Sequence, residues 1–257
     1  MAEHSVREVA IVTGASRGLG AAIAERLLAP YRRLVCVARS GNDALAARAR
    51  AAGAPIDYLQ HDLADPQDVE RLAGTLGALL RTHRDAARFV LVNNAGIVEP
   101  IGPIEALRTE GIAATLQVNL ASLMRLTAAF LEATDDATGE RRILSISSGA
   151  ARHPIAGWAA YCATKAAVDM FTRCIVDEQS RRANPARACA LAPGVLDTDM
   201  QSTIRSADFP SIDRFRQLKA QGGLIAPGQA AARIVAYLDR GDFGARPIDD
   251  LREQAGR

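Results

Sequence analysis

A short apolar run that passes directly into a glycine loop, and from there into an alanine-rich helix, leaves few folds open to this chain. Residues 8–13, Glu-Val-Ala-Ile-Val-Thr, form a continuous apolar stretch of the kind found in strands buried on both faces of a parallel sheet. Gly14-Ala-Ser16-Arg17-Gly18-Leu19-Gly20 follows without a spacer, and the helical pattern after it runs to about Ala29-Pro30. Glycines at such a junction let the backbone approach a phosphate, which a helix N-terminus also attracts. The spacing is G-x-x-x-G-x-G rather than the more general G-x-G-x-x-G. A plain tight turn is the competing reading. The strand before and the helix after favour phosphate binding.

The rest of the chain repeats the alternation. Strand patterns fall at 33–38, 55–60, 89–92, 142–147 and 186–191, with a short edge strand within 246–251. Helical patterns fall at 42–53, at 66–82 behind an Asp65 N-cap, at 158–182, and at 225–240 with Pro227 near the start. The stretch 104–133 holds two helical patterns with Asn119 between them, an oddity in an apolar helix because asparagine favours local bonds. Strands alternating with helices predict an α/β protein with a doubly wound parallel sheet and helices on both faces. A chain of 257 residues suits one α/β domain, 1–257, with no linker or repeat. The mixed segment around 195–225 reads as a lid over a ligand.

Charge and cysteines exclude several classes. A net charge of +2 argues for neither nucleic acid nor an anionic membrane. The four cysteines, Cys36, Cys162, Cys174 and Cys189, have no metal spacing with the histidines, so free thiols and no metal are expected. Residues 1–8 contain no apolar leader and no run approaches membrane-spanning length, so a cytoplasmic protein is expected.

The carboxyl ends of parallel strands form the ligand crevice of such a sheet. Arg39 and Ser40 end the second strand, where an acid would hold the 2′-hydroxyl of NAD and an arginine the 2′-phosphate of NADP. Arg17 reaches toward the same place, and two guanidiniums without a carboxylate favour NADP(H). Asp62-Leu63 follows the third strand, as an adenine contact or as an N-cap or turn aspartate. Asn93-Asn-Ala95-Gly96 follows the fourth, and Pro193-Gly194-Val195 with Thr198 follows the sixth.

The chemistry centres on Ser148 to Lys165. Tyr161 and Lys165 stand at i and i+4, on one face of a helix. An ammonium near a phenol favours the phenolate, so the tyrosine pKa is expected below its free value of about 10. Such a phenol exchanges a proton with a substrate oxygen. Ser148, at the end of the fifth strand, would hold the same oxygen. A solvated Tyr-Lys pair is the bland alternative. Asn119 would kink its helix, hold a water connecting to Lys165, or both.

Thr13-Gly-Ala-Ser-Arg-Gly-Leu-Gly20, Asn93-Asn-Ala-Gly96, Asn119, Ser148, Tyr161-Cys-Ala-Thr-Lys165 and Pro193-Gly194 with Thr198 together resemble the short-chain dehydrogenase/reductase family, in order and spacing, along nearly the whole chain. The resemblance implies a Rossmann-like sheet of seven strands in the order 3-2-1-4-5-6-7. The stretch from Ser147 to Phe171, with 193–201 and 215–224, resembles the sepiapterin reductase branch. Within it, Gly157-Trp-Ala-Ala-Tyr-Cys162 and Arg214-Phe-Arg216 are most similar to bacterial benzil reductases, which reduce one carbonyl of an aromatic 1,2-diketone with NADPH.

The resemblance implies a catalytic set of Asn119, Ser148, Tyr161 and Lys165. Tyr161 is implied as the proton donor, Ser148 as the group orienting the substrate oxygen, and Lys165 as a holder of the cofactor ribose. Trp158, Met200 and Phe215 are candidates for an apolar substrate pocket or for ordinary core. In sepiapterin reductases an aspartate near the C-terminus anchors the pterin, and Asp249 or Asp250 is the candidate here. The implied partner is a small carbonyl substrate, in a homodimer or homotetramer joined through the helices near 119–133 and 158–182. A sepiapterin reductase is the runner-up activity. An idle NADPH-binding regulator is the rival from another class.

Overall fold

A computed structural model describes residues 6–253. Residues 1–5, part of the stretch read above as lacking a leader, and residues 254–257 lie outside the described residues. The elements run β1 (Glu8–Thr13), α1 (Gly18–Arg26), β2 (Arg32–Ala38), α2 (Asp43–Ala51), β3 (Ile56–Gln60), α3 (Pro66–Thr82), β4 (Arg88–Asn93), α4 (Thr109–Leu116), α5 (Ser122–Ala133), β5 (Glu140–Ile146), α6 (Ala159–Gln179), β6 (Arg187–Ala192), α7 (Asp199–Ser206), α8 (Ile212–Ala220), α9 (Pro227–Leu238) and β7 (Ile248–Asp250). The described strands form one parallel sheet in the order β3-β2-β1-β4-β5-β6-β7. The order reverses between β1 and β4, which places a crevice at their carboxyl ends.

Period-two alternation divides each central strand between two cores. Ala10 and Val12 of β1 join Ile23 of α1 and Ala231 and Ile234 of α9 on one face. Val9 and Ile11 join Leu72 and Leu76 of α3 and Leu126 and Phe130 of α5 on the other. Full burial of one such large side chain is worth about 1.5–3 kcal/mol, so both helical layers are fastened through the same strands.

The local signals explain most boundaries. Asn42 caps α2 by accepting from the Leu45 N–H at 3.0 Å, and Asp65 caps α3 by accepting from Gln67 at 2.9 Å. Helix α1 stops at Arg26, short of Ala29-Pro30. Strand β5 ends at Ile146 rather than at 147, although the Ser147 N–H still donates to the Leu191 carbonyl of β6 at 2.9 Å. Between α4 and α5 the chain neither breaks nor continues as an α-helix. Residues Gln117–Ala121 make a π-turn, the wider winding that often marks a functional position.

No helix among the described residues is long and apolar enough to cross a membrane. The four cysteines are free thiols.

Phe130 is almost wholly buried between α5 and the sheet. Phe130→Ala is expected to lower unfolding stability by about 3–5 kcal/mol, read as a fall in the urea midpoint at unchanged m-value.

Candidate active site

The glycine loop is closed by a close approach that only glycine permits. Gly14 and Gly18 have φ of 70° and 57°. A Cβ on Gly20 would stand 2.2 Å from the Gly14 carbonyl oxygen and 2.4 Å from Asn94 Nδ2. Asn94 Nδ2 donates to the Thr13 carbonyl at 2.9 Å, while the N–H groups of Asn94 and Ala95 donate to Thr13 Oγ1 at 3.0 and 3.1 Å. Asn94 therefore bolts β4 to the loop. It stood inside the Asn93–Gly96 motif, but its role was not read from the sequence. Asn93 itself turns inward and donates to Thr127 Oγ1 at 3.0 Å, which removes its side chain from the expected ligand contacts. The bare loop at the α1 N-terminus fits a phosphate group.

The second rim of the crevice comes from β6. Gly194 has φ of 90°, and a Cβ on Gly18 would come within 3.5 Å of the Thr198 side chain. Arg17 pairs with Asp199 at 3.2 Å, spanning from the loop to the start of α7. Arg39 and Ser40 are exposed at the end of β2. Asp62 accepts from the Ala64 N–H at 3.0 Å, the turn geometry that was the alternative to an adenine contact, while Leu63 is buried.

Asn119, Ser148, Tyr161 and Lys165 meet at the carboxyl ends of β4 and β5. The Asn119 amide accepts from Ile97 N and donates to Ile97 O, both at 2.8 Å, and it also donates to Thr164 Oγ1 at 3.2 Å. The π-turn presents this amide to the β4 loop. Gly96 fits between them: a Cβ there would lie 3.3 Å from Asn119 Oδ1 and 3.7 Å from Lys165 Nζ. Lys165 Nζ donates to the Ile146 carbonyl at 2.8 Å. The Ser148 hydroxyl accepts from the Ala150 N–H at 3.1 Å and interacts with the Tyr161 phenol.

Burial sets the electrostatics. Tyr161 is 7% exposed and Lys165 4%. Burial pushes the phenol up to about 12, only partly opposed by the Ser148 hydrogen bond. Burial brings the lysine down to about 8, partly opposed by the charge of Asp169. The expectation of a tyrosine lowered by Lys165 is therefore corrected. The ammonium is directed at the Ile146 carbonyl and lies 5.7 Å from the phenol ring centroid, so desolvation decides the sign.

An aromatic wall stands beside the phenol. Trp158 packs edge-on to Tyr161 at 5.6 Å between centroids and stacks on Phe215 at 4.9 Å. Phe209, which the sequence reading missed, completes the wall at 6.0 Å from Trp158 and 5.9 Å from Phe215. Ile204 and Met200 of α7 pack against it. Both short helices of the 195–225 segment thus contribute to a cover over Tyr161.

A family model described as short chain dehydrogenase matches residues 8–208. The chain belongs to the short-chain dehydrogenase family. It is 37% identical over 238 residues to a benzil reductase ((S)-benzoin forming) of Bacillus cereus, covering 91% of this chain and 94% of that protein. It is 33% identical over 255 residues to a sepiapterin reductase of Meriones unguiculatus, covering 91% and 92%. Among solved structures, a short chain dehydrogenase from Burkholderia cenocepacia in complex with NADP superposes with a TM-score of 0.75 at 28% identity, covering 96% of each chain.

In this short-chain dehydrogenase the C-terminal acids are already engaged. Asp249 pairs in register with Leu191 and so lies on the α1/α9 side of the sheet, where it accepts from the Tyr237 hydroxyl at 2.9 Å. It is not brought to Tyr161, which corrects the expectation that it contacts substrate. Asp250 points to the α6 side. Its Oδ2 accepts from Arg152 at 2.8 Å and Arg252 at 2.6 Å, and its Oδ1 accepts from the Arg252 N–H and Nε at 3.0 and 2.9 Å.

Lys165 generates a stability prediction. Its folded pKa of about 8 lies below the ordinary lysine value of 10.5, so between these pH values the unfolded chain binds the extra proton and stability rises with pH. Lys165→Met removes this titration. The stability difference between variant and wild type, measured by urea at pH 7 and pH 10, is expected to shift in favour of wild type at the higher pH.

Proposed function

We propose that this enzyme is an NADPH-dependent carbonyl reductase that reduces one carbonyl of an aromatic 1,2-dicarbonyl of the benzil class to an α-hydroxyketone. The observation that carries the substrate reading is the wall of Trp158, Phe209 and Phe215 against the Tyr161 phenol. Flat apolar surfaces suit aryl groups through offset or edge-on stacking. The benzil reductase relative supports the same class.

NADP(H) is the cofactor of this reading, and when bound it supplies the hydride. The loop at Gly14, Ser16, Gly18, Leu19 and Gly20 would hold its pyrophosphate. Arg39, with Arg17, would hold the 2′-phosphate. Ala95, Gly96, Pro193, Val195 and Thr198 would line the crevice toward the reacting end.

The chain's own residues then manage the proton. A phenol held at about 12 keeps its proton at neutral pH, which suits a general acid in the reducing direction. Ser148 positions the carbonyl oxygen, and one such preorganised donor is worth about 3 kcal/mol in a dry site. As Tyr161 gives up its proton, the Lys165 ammonium, 5.7 Å from the ring centroid, would offset only part of the burial that disfavours the phenolate. Asn119 keeps Ile97 and Thr164 in place around that ammonium.

The sepiapterin reading is favoured by the 33% identical relative. It needs an acid open to a guanidine-like edge, and Asp250 has both oxygens taken by arginines. That saturation supports benzil over pterin.

The test is NADPH oxidation followed with benzil, isatin and sepiapterin. Benzil turnover is expected to exceed sepiapterin turnover in wild type and to fall at least about a hundredfold in Tyr161→Phe, with NADPH affinity within a few-fold. Sepiapterin turnover without benzil turnover would sink the substrate class. Wild-type rates in Tyr161→Phe would sink the assignment of the acid.

The cofactor has its own test. Arg39→Asp is expected to invert the preference from NADPH to NADH, because a carboxylate then occupies the place of the phosphate. Equal affinities for both cofactors in the wild type would refute the role of the arginines.

A further inference from the structure

The helix face that carries Tyr161 and Lys165 carries a third chemical group. Asp169 stands one further turn along α6, at the same spacing of four, and is only 3% exposed. Its Oδ1 accepts a short hydrogen bond from the Ser147 hydroxyl. Its Oδ2 lies 4.0 Å from Arg152 Nη1. Arg152 in turn is shared with Asp250, and Asp250 with Arg252. Ser147 follows the last residue of β5 and immediately precedes Ser148. A carboxylate this deeply buried is costly to the fold unless it is paired, and no step of the mechanism above uses it.

We propose that Asp169 is a positioning residue of the active site, which keeps Lys165 in its charged form and fixes the Ser147-Ser148 strand end against α6. The proposal rests on the reading of Lys165 and Tyr161 as the proton-transfer pair. Lys165 is buried and has one carbonyl acceptor, from Ile146, so its ammonium needs a counter-charge within the protein. Asp169, one turn further along the same helix, acts on it through its charge without a direct ion pair. Every charged or titratable group around the carboxylate is identifiable. Lys165 and Arg173 share its helix, Arg152 comes from the segment before α6, Cys189 from β6, and Asp250 from β7 through Arg152. Burial raises the Asp169 carboxyl above the usual carboxylate range, and the Ser147 hydrogen bond with the cations of Arg152, Arg173 and Lys165 opposes that rise; its ionised form favours the protonated lysine.

This gives two variants with opposite signs. Asp169→Asn keeps an acceptor for Ser147 but removes the charge. The lysine then loses its proton more easily. The alkaline limb of kcat for benzil reduction by the NADPH-loaded enzyme is expected to move down by about one pH unit, while KM for benzil stays within about threefold. Arg152→Gln leaves the Asp169 charge less neutralised toward Lys165, so the same limb is expected to move up. Asp169→Glu is expected to restore part of the wild-type profile.

A merely structural role would lower the rate or the stability without displacing the limb. An unmoved limb in folded Asp169→Asn would overturn the proposal. If that variant does not fold, Arg152→Gln decides, and a limb that stays in place or moves down is equally fatal. Tyr161→Phe separates the two readings. Undiminished turnover there removes the proton-transfer pair itself and the proposal with it, whereas lost turnover with an unmoved limb in Asp169→Asn removes only the role of Asp169.

Discussion

The crevice depends on how closely three pieces of backbone can approach one another. Gly14, just after β1, and Gly20, in the first turn of α1, leave no space for a Cβ, and Asn94, just after β4, fills what remains with hydrogen bonds to Thr13. Strand, helix and neighbouring strand thus meet at the point where the sheet order reverses. The backbone N–H groups at the start of α1 are left pointing at the crevice, because the first turn of a helix has no internal acceptors for them. Binding capacity here follows from how the backbone is packed, with few side chains involved.

Chemistry begins where charge is taken out of water. Tyr161 and Lys165 respond to the same desolvation in opposite directions, since burial favours the neutral form of each. The resting site therefore holds a phenol with its proton firmly attached and an ammonium close to losing its own. In the proposed reaction, negative charge on the substrate oxygen, and then on the phenol, is what this arrangement would stabilise. Solvent would weaken each of these interactions, and the aromatic wall above Tyr161 keeps it out.

Much of this was legible before any coordinates. Strand and helix order followed from apolar runs and caps, and Asp65, Asn42 and Pro227 stood at the helix starts where short-range chemistry places them. The residues proposed as catalytic could be named in advance because their spacing encodes a helix face and a strand end. What was not legible depends on the third dimension. A spacing of four places Lys165 beside Tyr161 but does not reveal that the Ile146 carbonyl takes its proton donor. Two adjacent aspartates, Asp249 and Asp250, are equivalent as a string. The sheet sends one to Tyr237 and the other to a pair of arginines. Phe209 lay in a segment without clear periodicity, so its part in the wall emerged only from packing.

The double-sided sheet also bears on how such a chain can change over evolutionary time. Neighbouring residues in β1 belong to different cores, Val9 and Ile11 to one and Ala10 and Val12 to the other. Loss or gain of one residue within the strand would exchange the inhabitants of both cores at once, so strand length is effectively frozen. The connections at the carboxyl edge carry no such coupling. New substrate ranges can therefore arise by lengthening or reshaping the segment between β6 and α9, while the sheet and its glycine loop are inherited intact.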